Sequence, residues 1–441
     1  MTISAETKDV MSTLFNQVFR LISGPLTMVL IANHLNESQQ GYWYLFLGVS
    51  ALTTLADMGF ATIVLQFVAH EFANLKLNSR YSLEGHEFHI NKMGSLFQFT
   101  IKWISISCLL VFPVIYFVGL GFFFRDSVVD VYIIPWTFYS LGSLINFFSI
   151  IIMTFLEGMD LIFDIQNIRI LISFFNTIVL ALMLIFNMNI HALAFSTLFS
   201  GVLISFVLFK KYKNLFFQLL SQKKTIMYDW KNQIVPLFIR YSLSTISGYF
   251  IFQTFVPIVQ YFKGSIETGK VGISLALISA IFTVSNIWIY TIIPKINIMI
   301  SKKNKKELDI LFYNRLSFAI ITYLAVSFIL LVSIFFLKNI PFFSEFIKRF
   351  VSLFSFIILL ICYFFQLLIN AWATYLRAHK IEPYMTPSII LAIWVVAATS
   401  IVAKFLPVQY IFVGFLLSYI WWIPLSRFIF KKKSIEIYGK S

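Results

Sequence analysis

The stretch GYWYLFLGVSALTTLADMGFATIVLQFVA, residues 41–69, holds 29 residues and a single charged side chain, Asp57. About 20 apolar residues in a helix cross the roughly 30 Å of hydrocarbon in a bilayer, so this stretch spans with residues to spare. A charge at mid-span costs from about 2.5 kcal/mol upward, depending on whether it finds water or a partner. The apolar stretch before it, near 14–34, also carries one charge, Arg20. The fold class turns on whether the rest of the chain repeats this pattern.

It does. Over 441 residues, 59% are hydrophobic and 18% aromatic, against 12% charged, where a soluble domain carries about 25%. Apolar runs near 14–34, 42–69, 96–120, 130–155, 166–187, 190–209, 235–261, 271–298, 311–337, 350–376, 384–405 and 408–430 predict about twelve transmembrane helices. The expected class is an all-α polytopic membrane protein. The opening MTISAETKDVMS lacks the basic region of a cleaved signal peptide, so the first span is expected to stay as an anchor. Cys108 and Cys362 lie inside spans and read as small packing residues.

The net charge of +15 is set by topology. With the N-terminus inside, 24 of the 34 Lys and Arg fall on the cytoplasmic side and 7 outside; Arg20, Lys102 and Arg240 lie within spans. Such asymmetry is the positive-inside rule, and it leaves no reason to invoke nucleic acid. Both termini are expected on the cytoplasmic side.

The basic segment KKYKNLFFQLLSQKKTIMYDWKNQ divides the chain. This predicts an N-terminal six-helix lobe at 1–209, a cytoplasmic linker at 210–233, a C-terminal six-helix lobe at 234–430 and a basic tail at 431–441. The halves resemble each other weakly: Ile22-Ser23-Gly24 aligns with Ile246-Ser247-Gly248, and both first spans carry an arginine, Arg20 or Arg240. In that register Arg240 comes four residues early, about one helical turn, so both could lie on one face. Six-plus-six repeats with a substrate path between them are a transporter layout. Gly24, Pro25, Gly59, Gly248, Pro257 and Pro294 are expected helix breaks, which bilayers tolerate only where protein or a wet cavity satisfies the freed backbone.

Enzyme chemistry finds little support. The chain has no HExxH and no Cys/His cluster, and no metal or cofactor is expected. GSIETGKV (264–271) matches a phosphate-loop spacing, but Val271 stands where Ser or Thr would hold Mg²⁺, and no strand precedes it. Outer loops are too short for a polysaccharide polymerase or glycosyltransferase. Glu157, Asp160 and Asp164, at i, i+3 and i+7, could share one helical face and read as a solvated helix end. The loop at 70–92 reads as an amphipathic interfacial segment.

The charges inside the spans carry the function. Arg20, Arg240, Lys102 and Lys295 outnumber Asp57, and an excess of cations suits an anionic cargo; the arginine fork matches phosphate oxygens. Lys102 and Lys295 lie near the cytoplasmic ends, where snorkelling is the simpler role. Asp57 can pair with Arg20, or it can exchange a proton or hold sodium and so couple transport to an ion gradient.

Residues 23–75, with a glycine before an aromatic-rich second span and Asp57-Met58-Gly59 within it, resemble the N-terminal stretch of O-antigen flippases of the Wzx type, in the multidrug/oligosaccharidyl-lipid/polysaccharide (MOP) exporter superfamily. The resemblance implies two six-helix bundles in a V, as in MATE transporters. It implies a cargo of undecaprenyl-diphosphate-linked oligosaccharide, flipped to the periplasmic leaflet by alternating access with protons or sodium as candidate coupling ions. The partners implied are that lipid-linked substrate, membrane lipids and the polymerase of the same pathway. The alternative is a cation-coupled multidrug antiporter of the same fold.

Overall fold

The computed structural model describes residues 5–222, 230–301, 305–379 and 381–438; some side chains inside helices, Arg20 and Arg240 among them, lie outside the described set. The chain begins with α1 (Ala5–His34), α2 (Glu37–Ser50), a 3₁₀ turn at Ala51–Thr53, α3 (Thr54–Asp57) and α4 (Phe60–Phe72). A small hairpin, β1 (Leu75–Leu77) with β2 (Leu83–Gly85), pairs antiparallel with Lys76 opposite Glu84. Then come α5 (Glu87–Arg125), α6 (Val129–Gly158), α7 (Ile162–Ile185), α8 (His191–Ser221) and α9 (Trp230–Phe252). The second half holds α10 (Phe255–Lys263), α11 (Ser265–Tyr290), α12 (Ile293–Ser301), α13 (Lys305–Leu337), α14 (Pro341–Lys348), α15 (Leu353–Ala378), α16 (Met385–Phe405) and α17 (Val413–Tyr438).

Among the described residues ten helical stretches are long and apolar enough to cross a membrane, and the bent pair Glu37–Asp57 with Phe60–Phe72 makes an eleventh. These eleven coincide with the second to twelfth expected spans. The first, 14–34, lies on α1, which is not among the eleven. The protein is a multi-pass helical membrane protein. Exposed apolar side chains coat the span helices, as with Leu109, Leu110, Val114 and Phe117 on α5 and Ile321, Leu324, Phe328 and Ile329 on α13. Water would penalise that surface; hydrocarbon does not.

The chain divides into two compact units. The first comprises residues 1–35 and 46–249, the second 36–45 and 250–441. The expected linker at 210–233 is helix α8 as far as Ser221, and residues 223–229 lie outside the described set.

In the first unit α6 lies along α8, α7 along α8 and α1 along α7. Between α6 and α8 the backbones close up at Gly142: a Cβ there would sit 2.6 Å from the Leu198 nitrogen. Asn146 then ties the pair, its amide donating to the carbonyls of Gly142 at 2.8 Å and Thr197 at 2.9 Å. Without a hydrophobic drive between helices in lipid, small residues and interhelical hydrogen bonds supply association. Nearby, buried Phe46 from α2 meets Trp136 at 4.9 Å and Tyr139 at 5.5 Å between ring centroids. Gly142→Val should force α6 and α8 apart and lower stability by about 1–3 kcal/mol, read as a fall in melting temperature in detergent, whereas Gly121→Val, where a Cβ meets nothing within 4 Å, should change it far less.

Candidate functional site

Span two breaks where the sequence places its charge. Met58 and Gly59 both adopt left-handed backbone, φ 43° and 80°, and the helices on either side diverge by 42°. Left-handed geometry costs an L-residue about 1–2 kcal/mol, and a break strands the first amides of α4 without helical partners. Asp57 supplies them: its Oδ1 accepts from the Ala61 amide at 2.9 Å and its Oδ2 from the Gly59 amide at 3.2 Å. A carboxylate at a helix N-terminus also meets the positive end of the helix dipole. The half-buried Asp57 is held by the backbone whose break it caps.

Beneath the break Phe60 stacks on Trp103 of α5 at 5.3 Å, and Phe238 of α9 sets its edge on Trp103 at 4.9 Å. Phe60 and Phe238 approach to 6.5 Å. The structure thus brings the segment of α9 that carries Arg240, two residues beyond Phe238, to the break in span two. Arg20 follows Asn16 by one turn on α1, and Asn16 donates to Gln166 of α7 at 2.8 Å. The side chains of Arg20 and Arg240 lie outside the described residues, and with them the expected Arg20–Asp57 pairing. Lys102 and Lys295 are exposed and enter none of the ion pairs among the described residues.

Three of the expected helix breaks are not breaks. Gly24 and Pro25 lie inside α1, which runs unbroken from Ala5 to His34, and Gly248 lies inside α9. Near the proline, the Thr27 hydroxyl donates to the Ser23 carbonyl at 2.8 Å. Pro257 and Pro294 stand in the first turns of α10 and α12, just past real interruptions. A proline loses nothing in a first turn, because those amides have no helical acceptor. The side chain of Pro294 lies outside the described set.

Sequence reasoning missed the ionic contacts at the expected cytoplasmic end of the first unit. Glu71, buried on the inner face of α4, meets Lys92 Nζ at 2.6 Å, and Lys92 also sits 5.7 Å over the Trp230 ring. The apolar run Phe60, Ile63, Val64, Val68 has helical spacing and ends on Glu71, which was the available signal. Glu157 and Asp164 do not share a face. Asp160, at φ 62°, interrupts the helix between them, so Glu157 pairs with Arg169 at 3.1 Å while Asp164 pairs with Lys211 at 2.8 Å. The segment at 70–92, expected as amphipathic and interfacial, runs from the end of α4 through the β1–β2 hairpin into α5, and its Tyr81 phenol donates to Asp164 at 3.0 Å. Burial, then the Asp164 carboxylate, push that phenol above its ordinary value, so it remains a neutral donor. Gln218 of α8 completes the docking, accepting from the Leu83 amide at 2.7 Å and donating to its carbonyl at 2.9 Å.

No protein-family model matches the chain, and no curated protein matches it. Solved structures do. The lipid II flippase MurJ in its inward closed conformation superposes at TM-score 0.65 with 12% identity, over 98% of this chain and 89% of its own. An inward-facing multidrug-resistance MATE transporter of the MOP superfamily gives 0.61 with 13% identity, over 97% and 96%. A MOP-superfamily transporter from Pyrococcus furiosus, described as having a binding pocket of reversed polarity, gives 0.60 with 12% identity, over 99% and 97%. The chain has the fold of the MOP transporters.

Removing one partner of a buried ion pair leaves the other uncompensated. Lys92→Met should therefore cost on the order of 3 kcal/mol by thermal unfolding in detergent, and adding Glu71→Leu should recover most of it. Asp57→Ala should cost about 1 kcal/mol through the lost cap, with Asp57→Asn closer to wild type because an acceptor oxygen remains.

Proposed function

We propose that the chain is a flippase that moves undecaprenyl-diphosphate-linked oligosaccharide, an O-antigen repeat unit, from the cytoplasmic to the periplasmic leaflet of a bacterial inner membrane by alternating access. The observation that carries this reading is the state of the charges within the spans. Arg20 lies on α1, the helix of the expected first span, and Arg240 on α9, two residues before the Ser242–Lys263 span stretch, while the carboxylate of Asp57 is taken up by the amides of Gly59 and Ala61. The excess is cationic, which suits a diphosphate. A cation-coupled drug antiporter of this fold calls for a carboxylate-rich cavity without excess arginine, which Asp57 alone does not supply.

A diphosphate sugar does not cross hydrocarbon unaided, since each buried polar group costs kcal/mol and each charge far more. An inside-negative potential helps it outward by about 2.3 kcal/mol per charge per 100 mV. The fold it shares with a lipid II flippase, over nearly the whole chain, supports the reading. The partners proposed are the lipid-linked oligosaccharide, bilayer lipids and the polymerase of the same pathway, with a proton or sodium as coupling ion.

Arg20→Ala and Arg240→Ala should each cut export of lipid-linked units at least tenfold while protein levels in the membrane hold, with units accumulating on the cytoplasmic leaflet; Arg20→Lys should restore only part, since lysine lacks the fork. Export at the wild-type rate in both alanine variants overturns the cationic-path reading. Units that reach the periplasm but stay short in a strain lacking the protein would place it at polymerisation instead.

A further inference from the structure

In the second unit two span helices face each other through uncharged polar groups. On α11 these are Ser279, Thr283, Asn286 and Tyr290, spaced 4, 3 and 4 residues apart, the spacing of one helical face. On α15 they are Tyr363, Gln366 and Asn370. Ser279 and Tyr363 share a hydrogen bond at 3.1 Å. The Asn370 amide donates to Asn286 Oδ1 at 2.8 Å and to the Tyr290 hydroxyl at 3.1 Å, and Tyr419 of α17 donates to Gln366 at 3.3 Å.

Part of this ladder is buried and part is not. Asn286 is fully buried and Tyr363 nearly so, whereas Tyr290 is 44% exposed, Thr283 is exposed and Asn370 half-buried. Past Ile266 in its first turn, α11 exposes no other large apolar side chain than Tyr290. That contrasts with α13, whose exposed side is Ile321, Leu324, Phe328 and Ile329. A strip of amides and hydroxyls facing hydrocarbon would forfeit their hydrogen bonds, so this strip faces something polar. It carries no charge: α11 from Val271 onward and α15 as far as Leu376 contain no ionisable acid or base of the Asp, Glu, Lys, Arg or His type.

The free valences of the strip are specific. Tyr290 accepts from Asn370 and so keeps its own proton to donate outward. The carboxamide oxygen of Asn370 takes part in none of these bonds and remains an acceptor. Thr283 spends its proton on the Ser279 carbonyl at 2.8 Å and leaves its oxygen lone pairs outward. One donor and two acceptors thus lie within about 10 Å along α11, beside the rings of Phe282 and Tyr363, which meet edge to face at 5.6 Å. Neutral hydroxyl-rich ligands, which both donate and accept, match this pattern; anions would need cations here, and organic cations a carboxylate.

We infer that the Thr283–Tyr290–Asn370 strip of α11 and α15 is a carbohydrate-recognition face that contacts the sugar portion of the cargo. This rests on the flippase reading and assigns the neutral part of the substrate to the second unit.

The test measures binding to the full chain in nanodiscs with two probes: lipid-linked repeat units extracted from the strain that encodes it, and undecaprenyl diphosphate bearing no sugar. Tyr290→Phe and Thr283→Val each remove one hydroxyl while keeping shape, and together should weaken binding of the glycosylated probe about tenfold, the equivalent of about 1.4 kcal/mol, with the sugar-free probe unchanged. Asn370→Ala should act in the same direction, and its melting temperature reports any damage from leaving the Asn286 Oδ1 without its donor. Equal losses on both probes, or unchanged binding of the glycosylated probe in the double variant, overturn the assignment and leave the flippase reading standing. If the wild-type chain binds neither probe, the flippase reading falls and takes this assignment with it.

Discussion

In hydrocarbon no water stands by to satisfy a backbone amide, so every interruption of a spanning helix must be closed by the protein itself. Span two shows what that demands. The left-handed pair Met58-Gly59 ends one helix and starts another, and the amides released by the break are caught by the Asp57 carboxylate. The charge and the break offset each other: a carboxylate alone in the span would be costly, and so would the uncapped helix. The packing of Phe60, Trp103 and Phe238 around the break depends on this arrangement, because it fixes the direction in which α4 leaves.

The two units handle polarity differently. The first joins neighbouring helices through ion pairs: Glu71–Lys92 ties α4 to α5, Glu157–Arg169 ties α6 to α7, and Asp164–Lys211 ties α7 to α8. The cationic partner of each pair keeps part of its exposure, which lowers the desolvation cost even where, as at Glu71, the carboxylate is buried. The second keeps charge out of the middle of α11 and α15 and holds them together with amides and hydroxyls. Neutral hydrogen bonds between spans are each worth roughly a kilocalorie or less, enough to set register without the expense of a buried ion.

This division bears on transport. A lipid-linked oligosaccharide has a doubly anionic end and a long neutral, hydroxylated one. Cationic residues on helices of one unit and an uncharged hydrogen-bonding strip in the other are the features that the proposed cargo calls for. Substrate chemistry, not overall architecture, separates a flippase from a drug antiporter here, because lipid II flippase and MATE structures both superpose on the chain.

Much of this was legible in the residues alone. Eleven of twelve span positions and the importance of Asp57-Met58-Gly59 follow from hydropathy and from one charge in a long apolar run, since period and length are local properties. The direction of that charge was not legible: a carboxylate between two half-helices can cap, pair or titrate, and only the backbone angles at Met58 and Gly59 show that it caps. Gly24, Pro25 and Gly248 look like breaks by composition, yet their helices continue, because a single glycine or proline leaves enough helical bonds intact on either side. Glu157 and Asp164 share a face on paper, and one left-handed residue, Asp160, sends them to different partners. The sequence by itself determined a membrane protein of about a dozen helices with a cationic excess. Tertiary structure alone decided which polar groups meet, since a partner 48 residues away, as Tyr212 is from Asp164, leaves no mark on local spacing.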